Sequence, residues 1–415
     1  MTGQGALGWS PRTKAVFLSC KYCRISLGRA FYARCPRCLG PTDSFYDLSR
    51  VVLVDDPNPL RRYFDLLPIE SEASAIWLGE GNTPCVHAVD LGRAVGLSQL
   101  FLKDETKNPT RTTKDRMASV ALAFLREHDV NEFVVSSTGN SGTAFGTSVA
   151  ARPEMSAHIF CGLEFLDRLN VPDVSNVHVY GVAGDYFAAA TAAWAFSQRT
   201  GIPYEPGFFN PGRREGSKLA YLEALDQMPV EPDVVVQAVS GGMGVYGAYK
   251  GFCEYQFLGR LRAMPRIICA QQSRCAPMHA AFAENSTTIE DRHVIAHPEG
   301  IAKAILRSNP SDTYPEIYRI VARTNGSIEA VDDSEILEAQ ALLRDLEGLE
   351  ACLSSAVALA AVIQLRRRNI IRSDEVVLVN ITGADRDPDR WPRPRPSFIE
   401  TPIEEERPRA GKDMS

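Results

Sequence analysis

Hydrophobic and polar positions follow two alternating patterns along this chain. Mostly apolar runs of strand length recur at 99–103, 132–136, 157–161, 177–180, 233–237, 266–271 and 375–381. Between them apolar residues return at helical spacing, as at Met117, Val120, Ala121, Phe124 and Leu125 within 115–128. The same spacing predicts helices over 185–198, 245–257, 334–346 and 354–367. A strand that is apolar on both faces must be covered on both faces. Such strands separated by helices predict an α/β fold built on parallel sheet. No internal repeat of fixed period is visible.

Length and charge narrow the class. At 415 residues, roughly two to three domains are expected. The composition is that of a globular protein, 45% apolar and 23% charged. The net charge of −6 argues against a nucleic-acid partner held by bulk electrostatics. No run of about 18 apolar residues exists, so no membrane-spanning helix is expected. The first ten residues lack the charged-then-apolar order of a secretion signal, which points to the cytoplasm. Residues 1–14 read as a loose leader, 15–45 as a cysteine-bearing segment and 50–386 as the catalytic region. The proline-rich, charged tail over 388–415 reads as flexible or draped over a neighbour.

Four of the ten cysteines are clustered as C-x2-C-x11-C-x2-C: Cys20, Cys23, Cys35 and Cys38. Two such knuckles present four thiolates to Zn²⁺, and a metal staple suits a segment short of core-forming residues. Reduced free cysteines and a redox pair are the alternatives. The other six are scattered, as reduced cytoplasmic thiols are. The basic residues around the cluster (Lys21, Arg24, Arg29, Arg34, Arg37) read as a solvated face or as a contact with the main domain.

Three loops carry the chemistry. Asn108-Pro-Thr-Arg-Thr-Thr-Lys114 sets a lysine at the head of a helix. Ser136-Ser-Thr-Gly-Asn140-Ser-Gly142 offers hydroxyls, an amide and backbone N–H groups for an anion. Ser240-Gly-Gly-Met-Gly244 follows an apolar strand and lets backbone N–H groups approach a phosphate at a helix N-terminus. Each has a plainer reading: a surface lysine, a capping turn, an ordinary strand-to-helix turn. For Asp115 and Arg116, a structural pair beside the lysine is expected.

Taken in order, and with Glu80-Gly-Asn-Thr-Pro84, Asn210-Pro-Gly-Arg-Arg-Glu-Gly-Ser-Lys218 and Asn380-Ile-Thr382-Gly383, these loops resemble the threonine synthase and cysteate synthase branch of the fold-type II pyridoxal-phosphate enzymes over roughly residues 76–386. The resemblance implies two parallel-sheet α/β domains with the cofactor between them, beside a small N-terminal zinc ribbon. It implies Lys114 as the Schiff-base and proton-moving residue. Asn140, Gly241, Gly242, Met243, Gly244 and Thr382 would hold the cofactor, with Thr382 at the pyridine nitrogen. Ser137, Thr138, Gly139, Asn140 and Ser141 would clamp the substrate carboxylate. A homodimer is the usual assembly of such enzymes.

The sequence also departs from that pattern. Arg111-Thr112-Thr113 stand where the family reads Gly-Ser-Phe, and an arginine there is a bidentate anion donor within reach of substrate, or else points to solvent. Cys352 and Leu353 replace Glu-Pro, and Thr382-Gly-Ala-Asp lacks the usual His-Gly. None of the seven histidines lies in a motif, and His87 reads as structural. The expectation is elimination or replacement at Cβ of a small anionic amino acid bearing a phosphate, sulfonate or sulfonated thioether, as in cysteate or coenzyme M formation. Threonine synthase acting on phosphohomoserine and a catalytically silent interaction protein are the alternatives.

Overall fold

The computed structural model describes residues 11–28, 30–387 and 389–399. Most of the expected leader, Arg29 and the tail beyond residue 399 lie outside the described residues. Twelve strands are present among the described residues: β1 (Phe17–Cys20), β2 (Thr42–Phe45), β3 (Cys85–His87), β4 (Gln99–Asp104), β5 (Glu132–Ser136), β6 (Ser156–Gly162), β7 (Val177–Val182), β8 (Val234–Ala238), β9 (Arg266–Gln272), β10 (Ser327–Val331), β11 (Val376–Ile381) and β12 (Ser397–Ile399).

Nine of these strands form the two parallel layers that the apolar runs foretold, and β3 adds one antiparallel edge. The larger sheet has the order β10-β9-β8-β11-β4-β3, with only β3 antiparallel. The smaller has the order β12-β7-β6-β5, all parallel. Helices cover both faces. The helix Leu353–Arg367 is buried along nearly its whole length beneath the larger sheet. No helix among the described residues is long and apolar enough to cross a membrane.

Two helices join the sheets. Lys114–Glu127 is buried from Asp115 to Leu125. Its partner, Pro211–Gln227, starts on Asn210, whose side chain accepts from the Gly212 N–H at 2.8 Å. Gly216 lets the two backbones meet: a Cβ there would lie 2.4 Å from the Arg116 carbonyl oxygen. The buried face of Pro211–Gln227 is charged, with Arg213, Arg214, Glu215, Lys218 and Glu223 all inside. This element has no apolar periodicity to announce it, which is why the pattern of the sequence passes over it.

The pairing expected of Asp115 and Arg116 does not form. Asp115 turns back to Thr110, accepting from its backbone N–H at 2.6 Å and from its hydroxyl. Arg116 turns inward to Glu105 at 2.7 Å and Glu223 at 2.6 Å, at 0% exposure. Opposite charges on adjacent helix residues point about 100° apart, so each takes a different partner.

The cysteine segment folds as the antiparallel pair β1–β2 and docks on the main body. Ser44 Oγ donates to Glu215 at 2.7 Å, and Lys218 Nζ donates to Tyr46 Oη at 2.8 Å. Lys21 pairs with Glu316 and Arg34 with Asp312 at 3.4 Å, whereas Arg24 and Arg37 are exposed. From the tail, residues 397–399 add a parallel edge strand to β7.

Candidate active site

The site forms because four strands end at one place. β4, β11 and β8 are neighbours in the larger sheet, and β5 edges the smaller. Beyond the C-terminal ends of these strands come, respectively, the lysine loop, Thr382, the glycine loop and the Ser137–Ser141 turn. Open parallel sheets bind ligands at such strand ends, where backbone N–H groups and helix N-termini are free. A cavity of about 170 Å³ opens there.

Its wall contains Thr112, Thr113, Lys114, Ser137, Thr138, Asn140, Ser141, the whole Gly241–Gly244 loop and Thr382. Two expected residues are not in the lining: Arg111 and Gly139. Arg111 has φ +58°, and its carbonyl accepts from the Ala384 N–H at 2.9 Å. The left-handed backbone occurs where the related motif has glycine, so the position answers to a turn. No histidine lines the cavity. His87 stacks on Phe101 at 4.7 Å, as a structural residue does.

Lys114 is the first residue of its helix. Burial, aided by the positive charge of Arg213, lowers its amine to about 8. Its neutral fraction near neutral pH is therefore far larger than that of a free lysine, as imine chemistry requires. The loop that carries it is tied to the end of β11. The Thr113 N–H donates to the Thr382 carbonyl at 2.8 Å, and Ser355 Oγ lies 3.1 Å from Thr382 Oγ1. Ser355 also accepts from the Gly383 N–H at 2.9 Å.

In the second turn, Ser137 Oγ accepts from the Gly139 and Gly142 N–H groups at 3.0 and 2.8 Å. Asn140 then begins the helix Asn140–Ala150, and Asn140 and Ser141 line the cavity. In the glycine loop Gly242 has φ +80°, and a Cβ there would sit 2.3 Å from Ile317 Cδ1. The helix Met243–Phe257 starts immediately after it.

Sequence reasoning missed Arg386, Tyr221, Gln237 and Arg307. Arg386 reaches Thr110 O at 2.9 Å and Asn140 Oδ1, Arg168 O and Asn170 Oδ1, each at 2.8 Å. Burial, with Arg168 nearby, lowers its guanidinium to about 10. It lies in a charged stretch that reads as loop, so nothing local singled it out. Gln237 ends the strand before the glycine loop, and its Oε1 accepts from Asn380 Nδ2 at 3.3 Å. Tyr221 sits on the helix that lacks apolar periodicity, and Asn380 Nδ2 also donates to its hydroxyl at 3.2 Å.

The geometry suits pyridoxal phosphate. A lysine amine of lowered pKa, a glycine cradle at a helix N-terminus and a hydroxyl at the end of the central strand converge on one cavity. The buried Asn380 Oδ1 in its wall has no hydrogen-bond partner among the described residues. The four clustered sulfurs also suit a metal. All lie within 4.8 Å of one another, with Cys20–Cys38 at 3.4 Å and Cys23–Cys35 at 3.6 Å. A tetrahedron with Zn–S bonds of about 2.3 Å needs sulfurs about 3.8 Å apart.

Comparison with known proteins reaches the same class. The model of the pyridoxal-phosphate dependent enzyme family matches residues 76–383, and the chain belongs to that family. Threonine synthase of Bacillus sp. (strain ULM1) is 31% identical over 333 residues, covering 80% of this chain and 90% of that protein. Threonine synthase of Methanocaldococcus jannaschii is 30% identical over 332 residues, covering 79% and 80%. Maize serine racemase shares the fold with a TM-score of 0.61 at 20% identity, covering 74% of this chain and 89% of that one. Threonine deaminase isoform 2 of Solanum lycopersicum gives 0.60 at 19%, covering 74% and 84%.

Proposed function

We propose that this enzyme catalyses elimination or replacement at Cβ of an amino acid whose β-substituent is anionic: a phosphate, a sulfonate or a sulfonated thioether. The observation that carries it is the depressed amine of Lys114, set between the anion-binding turn at Ser137–Ser141 and the hydroxyl of Thr382. Pyridoxal phosphate, when bound, supplies an electron sink for charge developing at the substrate α-carbon. The chain's own groups do the rest. The N–H groups at the start of Asn140–Ala150 and the hydroxyls of Ser137, Thr138 and Ser141 bind the substrate carboxylate. Lys114 takes the proton from Cα and returns one to the product or leaving group. The glycine loop from Gly241 to Gly244 receives the cofactor phosphate. A hydroxyl at Thr382 accepts or donates at the ring nitrogen without forcing it to stay protonated, which favours elimination over decarboxylation. Arg307, in the cavity wall with no carboxylate partner among the described residues, is available to the anionic substituent. The cysteine cluster is read as a structural zinc site.

Threonine synthase is the second reading. The two relatives of that name, each at or above 30% identity, favour it.

A spectral titration separates the two. The holoenzyme is mixed with O-phosphohomoserine, O-phosphoserine and S-sulfoethyl-cysteine, and pyruvate, thiol and threonine are assayed. Turnover of phosphoserine or the thioether supports Cβ chemistry. A response to phosphohomoserine alone, with threonine formed, replaces it with the second reading.

A further inference from the structure

A second chamber, of about 240 Å³, adjoins the lysine cavity. Ser136, Tyr186, Phe208, Arg213 and Arg307 line both, so the two spaces share a wall. Aromatic side chains in its wall include Tyr186, Phe187, Trp194, Tyr204, Phe208 and Phe209. Trp194 and Tyr204 stand edge to face at 5.8 Å, as do Phe208 and Phe209 at 5.4 Å. An apolar cavity of about 150 Å³ is enough for a benzene ring. This chamber is larger than a phosphate or an amino acid needs.

Charge narrows the occupant. Three guanidinium groups line the chamber, and two are already matched. Arg213 donates through Nε to Glu205 at 2.7 Å and through Nη2 to the same carboxylate. Arg34 pairs with Asp312 at 3.4 Å and stacks over Phe209 at 3.7 Å. Among the described residues Arg307 has no carboxylate partner, but neither Glu164 nor Asp185, also in the wall, has a cationic one. Two of the three anion donors are thus neutralised by the protein itself, and Arg307, which also walls the lysine cavity, is the one left to an anion. A flat, uncharged ring is what the remaining surface rewards, through face and edge contacts with the aromatic walls.

We infer that the second chamber is a subsite for a neutral aromatic group on the β side of the bound amino acid. This rests on the Cβ chemistry proposed above, with Arg307 kept for the anionic substituent, and adds an aryl group as a further β-side class. Two sources share that chemistry. A departing arylthio group breaks the Cβ–S bond: S-phenyl-cysteine and water give thiophenol, pyruvate and ammonia. An arriving aryl thiol forms that bond as Cβ–O breaks: phosphoserine and thiophenol give S-phenyl-cysteine, and the thiol proton leaves on phosphate.

The test uses the holoenzyme, S-phenyl-L-cysteine, thiophenol and O-phospho-L-serine. Binding is followed through the emission of Trp194, isolated by comparison with Trp194→Phe, and through the cofactor absorption. The expected result is tighter binding of S-phenyl-cysteine than of phosphoserine, with a Trp194 signal. Ala190→Phe, which fills the chamber, should lower that preference by about tenfold, because overpacking costs binding directly. Thiophenol release identifies the departing source, and S-phenyl-cysteine formed from phosphoserine the arriving one. Equal or weaker binding of the aryl amino acid by the unaltered enzyme, without a Trp194 signal, overturns the inference and needs no variant to fold. A Trp194 response with no cofactor response to any amino acid keeps the chamber and removes the Cβ reading.

Discussion

Arg386 holds Asn140 by its amide oxygen at 2.8 Å. The amide has one acceptor oxygen and one NH₂ group, so occupying the oxygen leaves the Nδ2 donors for the cavity. The same guanidinium donates to Thr110, on the lysine loop. One planar group therefore sets the distance between the lysine loop of one sheet and the Ser137–Ser141 turn of the other. Its fork cannot be copied by an ammonium group, which is a point charge.

Arg386→Ala should lower kcat/KM by about 100-fold, the scale of an ångström-sized misplacement in an assembled site. The loss should appear in KM for the amino acid and in kcat together, and Arg386→Lys should restore only part of it. Steady-state kinetics of both variants checks this. Full activity in the alanine variant would mean that the turn is rigid without the clamp.

Lys114→Ala should lose the visible band of the lysine-linked cofactor and all turnover. In the unaltered apo-protein, cofactor capture needs the neutral amine, whose fraction grows as pH rises. With the amine lowered to about 8 from 10.5, the capture rate should climb through pH 8 and level off above it. Stopped-flow absorbance across pH 6–11 is the measurement (roughly the span needed for a lysine titration). A midpoint near the ordinary lysine value would show that burial does not act on Lys114 as its surroundings imply.

Arg116, two residues beyond Lys114, is enclosed by Glu105 and Glu223. Arg116→Leu leaves two buried carboxylates facing each other and should cost about 3–5 kcal/mol of stability by urea unfolding. Burial by itself would raise Glu223, but the charge of Arg116 overrides it and holds the carboxyl at about 2, below the usual 4.5. A depressed acid stabilises the fold above its unfolded value. That contribution is present above about pH 4.5 and is lost as pH falls toward 2. The Glu223→Gln variant should show a shallower acid limb of stability.

Cys20→Ser combined with Cys35→Ser should abolish bound zinc and lower the melting temperature, while leaving Lys114 able to bind the cofactor. Because Arg34 precedes Cys35 and walls the aromatic chamber, selectivity for the β-side group should fall as well. Metal analysis, calorimetry and paired KM values test the three parts. A variant that keeps its stability would remove the structural-metal reading.

Arg111→Gly relieves a left-handed residue and should raise stability by up to about 1 kcal/mol. KM should stay within about twofold, the usual range for a change outside a site. A tenfold rise in KM would bring the guanidinium back to the substrate.

The apolar runs from 99–103 to 375–381 foretold seven of the parallel strands, because a strand buried on both faces cannot hide its composition. The short strands β1, β2 and β3 were not legible, since three or four residues carry too little pattern, and β10 was hidden because Ser327 and Glu329 break its apolar run. The helix Pro211–Gln227 was hidden for the opposite reason: its first half buries charged residues rather than an apolar stripe. Lys114, Asn140, the glycine loop and Thr382 could be read as a set because cofactor chemistry demands those residue types in that order. Arg111 looked chemical in one dimension and proved to be a turn residue in three.

Local chemistry is written in residue types, so the alternation of elements, the cysteine knuckles and the three loops were available from the chain alone. Which charges meet was not. Arg386 is 246 residues from Asn140, and Glu205 disarms Arg213 only because a turn folds it back. The aromatic chamber draws its walls from segments as far apart as Arg34 and Asp312. Contacts of that separation depend on how the sheets and helices pack, and packing is a property of the folded volume that no local pattern encodes.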